Sequence, residues 1–145
     1  MNTPQDILIF ICACTGLIIA LYFTLIYYGL ISPEATWLPT ICRMDEKSCS
    51  AVIHAPAARV LKIAPNFIFG IIYYVLCIIT RWVDLHISTT DLSAHDILLM
   101  LSWSVVGLSL YLLYDLFFVI KMNCPLCFTA HALNITIALT LTFGY

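Results

Sequence analysis

Apolar residues run almost unbroken through four stretches of this chain, and its polar residues collect between them. The first stretch covers residues 7–31, and no Asp, Glu, Lys, Arg or His lies between Asp6 and Glu34. The second, residues 67–83, is short, with Arg81 placed to snorkel at its far end. The third, residues 97–120, holds one acid, Asp115, and the fourth covers residues 124–145. Each is near the roughly 20 residues that a helix needs to cross a bilayer core. The first reads poorly as a cleavable leader, because it lacks a basic start, is too long and is followed by no small-residue cleavage site. Between the first two stretches, residues 57–64 place Val60, Leu61, Ile63 and Ala64 opposite Arg59 and Lys62, a pattern that predicts a short amphipathic helix at the interface. Pro65 suits the first position of the next helix, with Asn66 at its mouth. The expected fold is one all-α membrane domain over residues 1–145, a four-transmembrane-helix bundle with a long loop, 32–65, and a short amphipathic helix capping one face.

Composition supports that pattern. Of 145 residues, 63% are hydrophobic and only 10% charged, against about 25% charged in an average soluble domain. Mean hydropathy is +1.03. A net charge of −2 offers no basic surface for nucleic acid, and that class of partner is excluded.

Candidate chemistry lies in the cysteines. Cys12, Cys14 and Cys77 fall inside apolar stretches, where a cysteine is ordinarily a small buried hydrophobe. Cys42 and Cys49 fall in the long loop, and Cys124 and Cys127 open the fourth stretch. With four spans, the first and third connections emerge on the same membrane face, so both pairs share one compartment. The third connection, residues 121–123, is a tight hairpin, whereas the first is long enough to reach over the bundle mouth. Two thiols three positions apart at a helix N-terminus, where a thiolate is stabilised, suit disulfide exchange. Cys124, Cys127, His131 and Asn134 then occupy i, i+3, i+7 and i+10, one stripe of a helix. His131 reads equally as a packing residue or a substrate contact, and Asn134 as a hydrogen-bonded bridge between helices. Burying a charged Asp115 would cost roughly 2.5 to 3.5 kcal/mol on insertion scales, so it is protonated, paired near Lys121, or functional.

These features together resemble the vitamin K epoxide reductase family, and its bacterial and archaeal type in particular. The likeness spans nearly the whole chain: Cys42, Cys49-Ser50, Pro65-Asn66-Phe67-Ile68-Phe69-Gly70, Leu116-Phe117-Phe118-Val119, and Cys124-Pro125-Leu126-Cys127 through to Ala132-Leu133-Asn134. It implies a thiol:quinone oxidoreductase that supports disulfide-bond formation. Cys127 would be the thiol nearest the quinone, Cys124 its partner, Cys49 the loop thiol attacking Cys124, and Cys42 the contact for an external thioredoxin-like protein. Asn66 corresponds to an asparagine that hydrogen-bonds a quinone oxygen and Phe69 to a pocket wall, with Tyr73 a further quinone contact. His131 stands where animal members carry a tyrosine, which leaves menaquinone, ubiquinone and vitamin K open as the quinone. Ala55 and Ile63 stand where the family often has Ser or Thr and Gly. Some bacterial relatives carry a fused thioredoxin-like domain after the fourth span; here a separate redox partner is expected.

A DsbB-type quinone-dependent oxidase is the nearest alternative, but it has its CxxC in the first loop and its spaced pair in the second, the reverse of this order. Zinc at Cys124, Cys127 and His131 with a loop cysteine, and a four-span structural subunit with passive disulfides, are the others; no metal is expected. Orientation is contested by two rules. Arg43, Lys47, Arg59, Lys62 and Lys121 lie on the cysteine side and only Arg81 opposite, which by the positive-inside rule places the thiols in the cytoplasm. Disulfide chemistry places them outside, and the extracytoplasmic side is the expectation.

Overall fold

The computed structural model describes residues 4–31, 59–60, 64–82, 94–121 and 124–144. Four helices form a bundle: α1 (Pro4–Tyr27), α2 (Asn66–Trp82), α3 (Ala94–Tyr114, continued by a π-helical turn, Asp115–Ile120) and α4 (Pro125–Phe143). α1, α3 with its π turn, and α4 are long and apolar enough to cross a membrane. α2 has 17 residues, about 25 Å of helix against a hydrocarbon core of about 30 Å.

Each helix buries the stripe that its 3.6-residue period dictates. On α1 the buried positions are Ile9, Cys12, Ala13, Gly16, Ile19, Ala20, Phe23 and Ile26, which step by three and four as one face must. Ala13, Gly16 and Ala20 are small, so α2 lies close, and the Tyr74 ring sits where a methyl group on Gly16 would stand. Outward faces carry Ile11, Ile18, Met100, Leu110, Phe118 and Phe143, all exposed. In water this would be a large adhesive surface; in a membrane it is the lipid face. Serine and threonine hydroxyls are satisfied within their own helices, as where Thr15 donates to the Ile11 carbonyl at 2.9 Å and Ser102 to that of Leu98 at 2.7 Å.

Contacts at both ends fix an up-down order. At one end Arg81, closing α2, pairs with Asp6, opening α1, at 3.2 Å; at the other the Tyr27 and Phe67 rings meet at 5.5 Å. Trp103 of α3 donates to Thr142 of α4 at 3.1 Å, while Phe117 and Phe128 meet at 5.1 Å near the opposite end of that pair. α1 packs along both α2 and α4, and α4 along α3, whereas α2 and α3 share no extensive seam.

The structure departs from the expected elements at five points. The apolar run through Ile31 does not stay helical: α1 stops at Tyr27, Gly29 takes φ +69°, its N–H donates to Ile26 O at 2.9 Å, and Leu30 N–H donates to Leu25 O at 2.8 Å. That is a Schellman cap, which needs a left-handed residue. The amphipathic helix expected over 57–64 is not the form of its described residues, since Arg59–Val60 pairs antiparallel with Ala64–Pro65. Pro65 accordingly ends a strand, and Asn66 opens α2. Arg81 does not snorkel into water; its side chain is buried against Asp6. The third helix changes to π geometry at Asp115, and the Lys121 N–H closes it onto the Leu116 carbonyl.

Candidate active site

The CxxC is placed by the start of α4. Cys124 is the N-cap, extended at φ −110° and ψ 102°, and Pro125 follows at the first helical position, where its missing N–H leaves nothing unsatisfied. The first helical bond runs from Phe128 N–H to Cys124 O at 3.1 Å. Cys124 has no exposed surface and packs with Ile19, Phe23 and Ile26 of α1 and Phe67 of α2. Cys127, one turn on, is half-buried. Both sit at the positive end of the α4 dipole, which favours negative charge on sulfur.

Beyond Cys127 the four helices line a partly open cavity of about 140 Å³. An engineered apolar cavity of about 150 Å³ takes up benzene, so this one has room for an aromatic ring. α1 contributes Gly16, Ala20 and Phe23 to its wall, α2 contributes Asn66, Phe69 and Tyr73, α3 with its π turn contributes Ser109, Leu112 and Asp115, and α4 contributes Cys127, His131 and Asn134. The weak α2–α3 seam is bridged instead by tyrosine hydroxyls. Tyr73 donates to Ser102 Oγ at 3.0 Å; Tyr74 donates to Asn134 Oδ1 at 2.7 Å, and Asn134 Nδ2 donates to Ser109 Oγ at 2.9 Å. Three helices are thereby joined by a polar chain whose groups satisfy one another.

Two polar groups on the wall stand apart from that network. His131 Nδ1 is buried and has no hydrogen-bond partner among the described residues. Among the same residues no hydrogen bond engages the Asn66 side chain. A buried polar atom left unmatched costs free energy that a ligand can recover.

The expected site residues therefore divide. Asn66, Phe69, Tyr73, Cys127 and His131 line one cavity. Cys124 lies beside it, buried under α1 and α2, and is absent from its wall. Cys42 and Cys49 lie outside the described residues. Among the described residues no three His, Cys, Asp or Glu side chains converge as metal ligands, and Cys124, Cys127 and His131 form no such group. Asn134 makes the interhelical bonds expected of it. Sequence reasoning passed over Tyr74 and Ser109. Their signal was a place on the stripes that carry Asn66, Gly70 and Tyr74 on α2, and Val105, Ser109 and Leu112 on α3.

A cavity between four membrane helices, with a CxxC thiol on its wall, is the setting in which the family comparison belongs: the model for the vitamin K epoxide reductase family matches residues 7–142. The chain belongs to the vitamin K epoxide reductase family. It is thus an integral membrane protein of a family of thiol-dependent oxidoreductases that are associated with quinones in general. In this vitamin K epoxide reductase family member the match runs from α1 through α4, so the cavity and the CxxC both lie within it.

Proposed function

We propose that the protein is a thiol:quinone oxidoreductase, passing electrons from a separate thioredoxin-like protein through Cys42 and Cys49, then Cys124 and Cys127, to a quinone in the cavity. The observation that carries this reading is the wall itself, where Cys127 shares an apolar, ring-sized space with the unengaged Asn66 amide and His131 Nδ1. These residues fit a quinone: two polar groups can hydrogen-bond its oxygens while Phe69 and Phe23 flank its ring. When bound, the quinone supplies the two-electron acceptor that the side chains themselves lack.

The chain's own part is exchange and positioning. A partner dithiol reduces a Cys42–Cys49 disulfide; the Cys49 thiolate attacks Cys124, forming a mixed disulfide and releasing Cys127 as thiolate; Cys42 then attacks Cys49 and frees Cys124. Two electrons thus reach the Cys124–Cys127 pair while the soluble donor stays outside the bundle. The same chemistry favours an extracytoplasmic site, where disulfides persist.

The test separates the two pairs. In proteoliposomes, Cys42→Ala and Cys49→Ala variants should lose at least tenfold in quinone reduction driven by a thioredoxin-like dithiol protein, yet keep most of the rate with dithiothreitol, a small dithiol that can enter beside the half-buried Cys127 without the loop pair. Equal losses with both reductants would remove the loop pair from the relay.

A further inference from the structure

Asp115 lines the same cavity, and the exchange steps above give it nothing to do. It opens the π turn at the end of α3, is 7% exposed, and is the only carboxylate among the residues of the wall. Among the described residues no hydrogen bond or ion pair engages it, and Lys121, the nearest base in sequence, is exposed and forms no pair with it. The other titratable side chains of the wall are Tyr73 and Tyr74 from α2 and Cys127 and His131 from α4, while α1 adds none. Both tyrosine hydroxyls are committed, to Ser102 and Asn134. A π turn within a helix is rare and frequently marks a functional site. A lone acid in an apolar span faces the bundle interior for a reason.

We propose that Asp115 is the proton-transfer group of the cavity, a catalytic acid acting on the bound quinone; this rests on the quinone reading above. Oxidation of the Cys124 and Cys127 thiols forms one S–S bond, breaks two S–H bonds and yields two electrons and two protons. Reduction of a quinone to a hydroquinone takes up both electrons and forms two O–H bonds. The two electrons pass from sulfur to the ring, and negative charge without a proton beside it is disfavoured in an apolar space. Asp115 gives its carboxyl proton to one quinone oxygen and takes back one of the two thiol protons, ending the cycle as it began. The second thiol proton goes to the other oxygen. A carboxyl serves because it is both O–H donor and acceptor.

Asp115→Asn keeps the shape and removes the exchangeable proton. With dithiothreitol and menadione or a short-chain ubiquinone, this variant should lose about a hundredfold in rate, the lower end of what general acid catalysis contributes. Binding of the oxidised quinone to the oxidised protein should change by less than about twofold. Asp115→Glu should restore the rate to within about tenfold of wild type. Infrared difference spectra on adding quinone to oxidised protein, with no turnover, should show a perturbed carboxyl band in wild type that Asp115→Asn lacks. A wild-type rate in Asp115→Asn, or a carboxyl band unmoved by quinone, overturns the assignment. A parallel loss of helicity and quinone binding in both variants does so too, since Asp115 would then be structural. If wild-type protein reduces no quinone at all, the quinone reading itself fails, and that result is distinct from a failure confined to Asp115.

Discussion

At the scale of single residues, Gly16 shows two forces with opposite signs. By helix propensity alone Gly16→Ala should stabilise α1 by roughly 0.8 to 1 kcal/mol. The added methyl, however, falls within the Tyr74 ring, and overpacking a tight contact costs about 1 to 3 kcal/mol. Packing should win: Gly16→Ala lowers the thermal midpoint in detergent, and lowers it by less in a Tyr74→Leu background than in wild type. Strictly additive effects in that double-mutant cycle would show that the ring and the glycine do not meet. The same residues mark where sequence reading stops. The stripe of Cys124, Cys127, His131 and Asn134 was legible because helical period alone sets it. That Cys127 lines the cavity while Cys124 is buried in a cluster with α1 and α2 residues was not, because it depends on how those helices cross the start of α4. Likewise Tyr74 meets Asn134, 60 positions away, and no local pattern reports such a partner.

At the scale of elements, the existence of each helix was legible from its apolar run, but its ends were not. A glycine inside an apolar run gives no sign by itself that it will cap a helix, yet Gly29 ends α1. The three-residue spacing of Arg59 and Lys62 suits a helix, yet the backbone at Val60 pairs with that at Ala64, a partner that local spacing does not report. The short α2 carries the largest electrostatic stake. Its Arg81 side chain is 7% exposed and Asp6 is 16% exposed, so the pair is largely removed from solvent. Removing one member of such a pair costs about 3 to 5 kcal/mol, whereas replacing both with apolar residues is often neutral. Asp6→Ala should therefore lower the unfolding midpoint sharply, and Asp6→Leu with Arg81→Met should recover most of it. A single variant as stable as wild type would mean that the pair does not tie α1 to α2. Quinone reduction by the double variant should persist, because the pair lies at the end of the bundle away from Cys127.

At the scale of the whole molecule, four helices leave a ring-sized space because α2 and α3 meet through tyrosine hydroxyls rather than along a packed seam. Fold class and membrane character were legible from apolar run lengths, and the family from its cysteine and Asn66 segments. The cavity was not, since it is the volume that four buried stripes fail to fill. The central claim is that Cys127, on its wall, delivers electrons to a quinone there. Its most direct measurement is the rate of dithiothreitol-driven quinone reduction by purified Cys127→Ser protein in liposomes, with helicity checked by circular dichroism. The account predicts loss of activity in a folded protein; more than about a tenth of wild-type turnover remaining, a barrier change of less than about 1.4 kcal/mol, would contradict it.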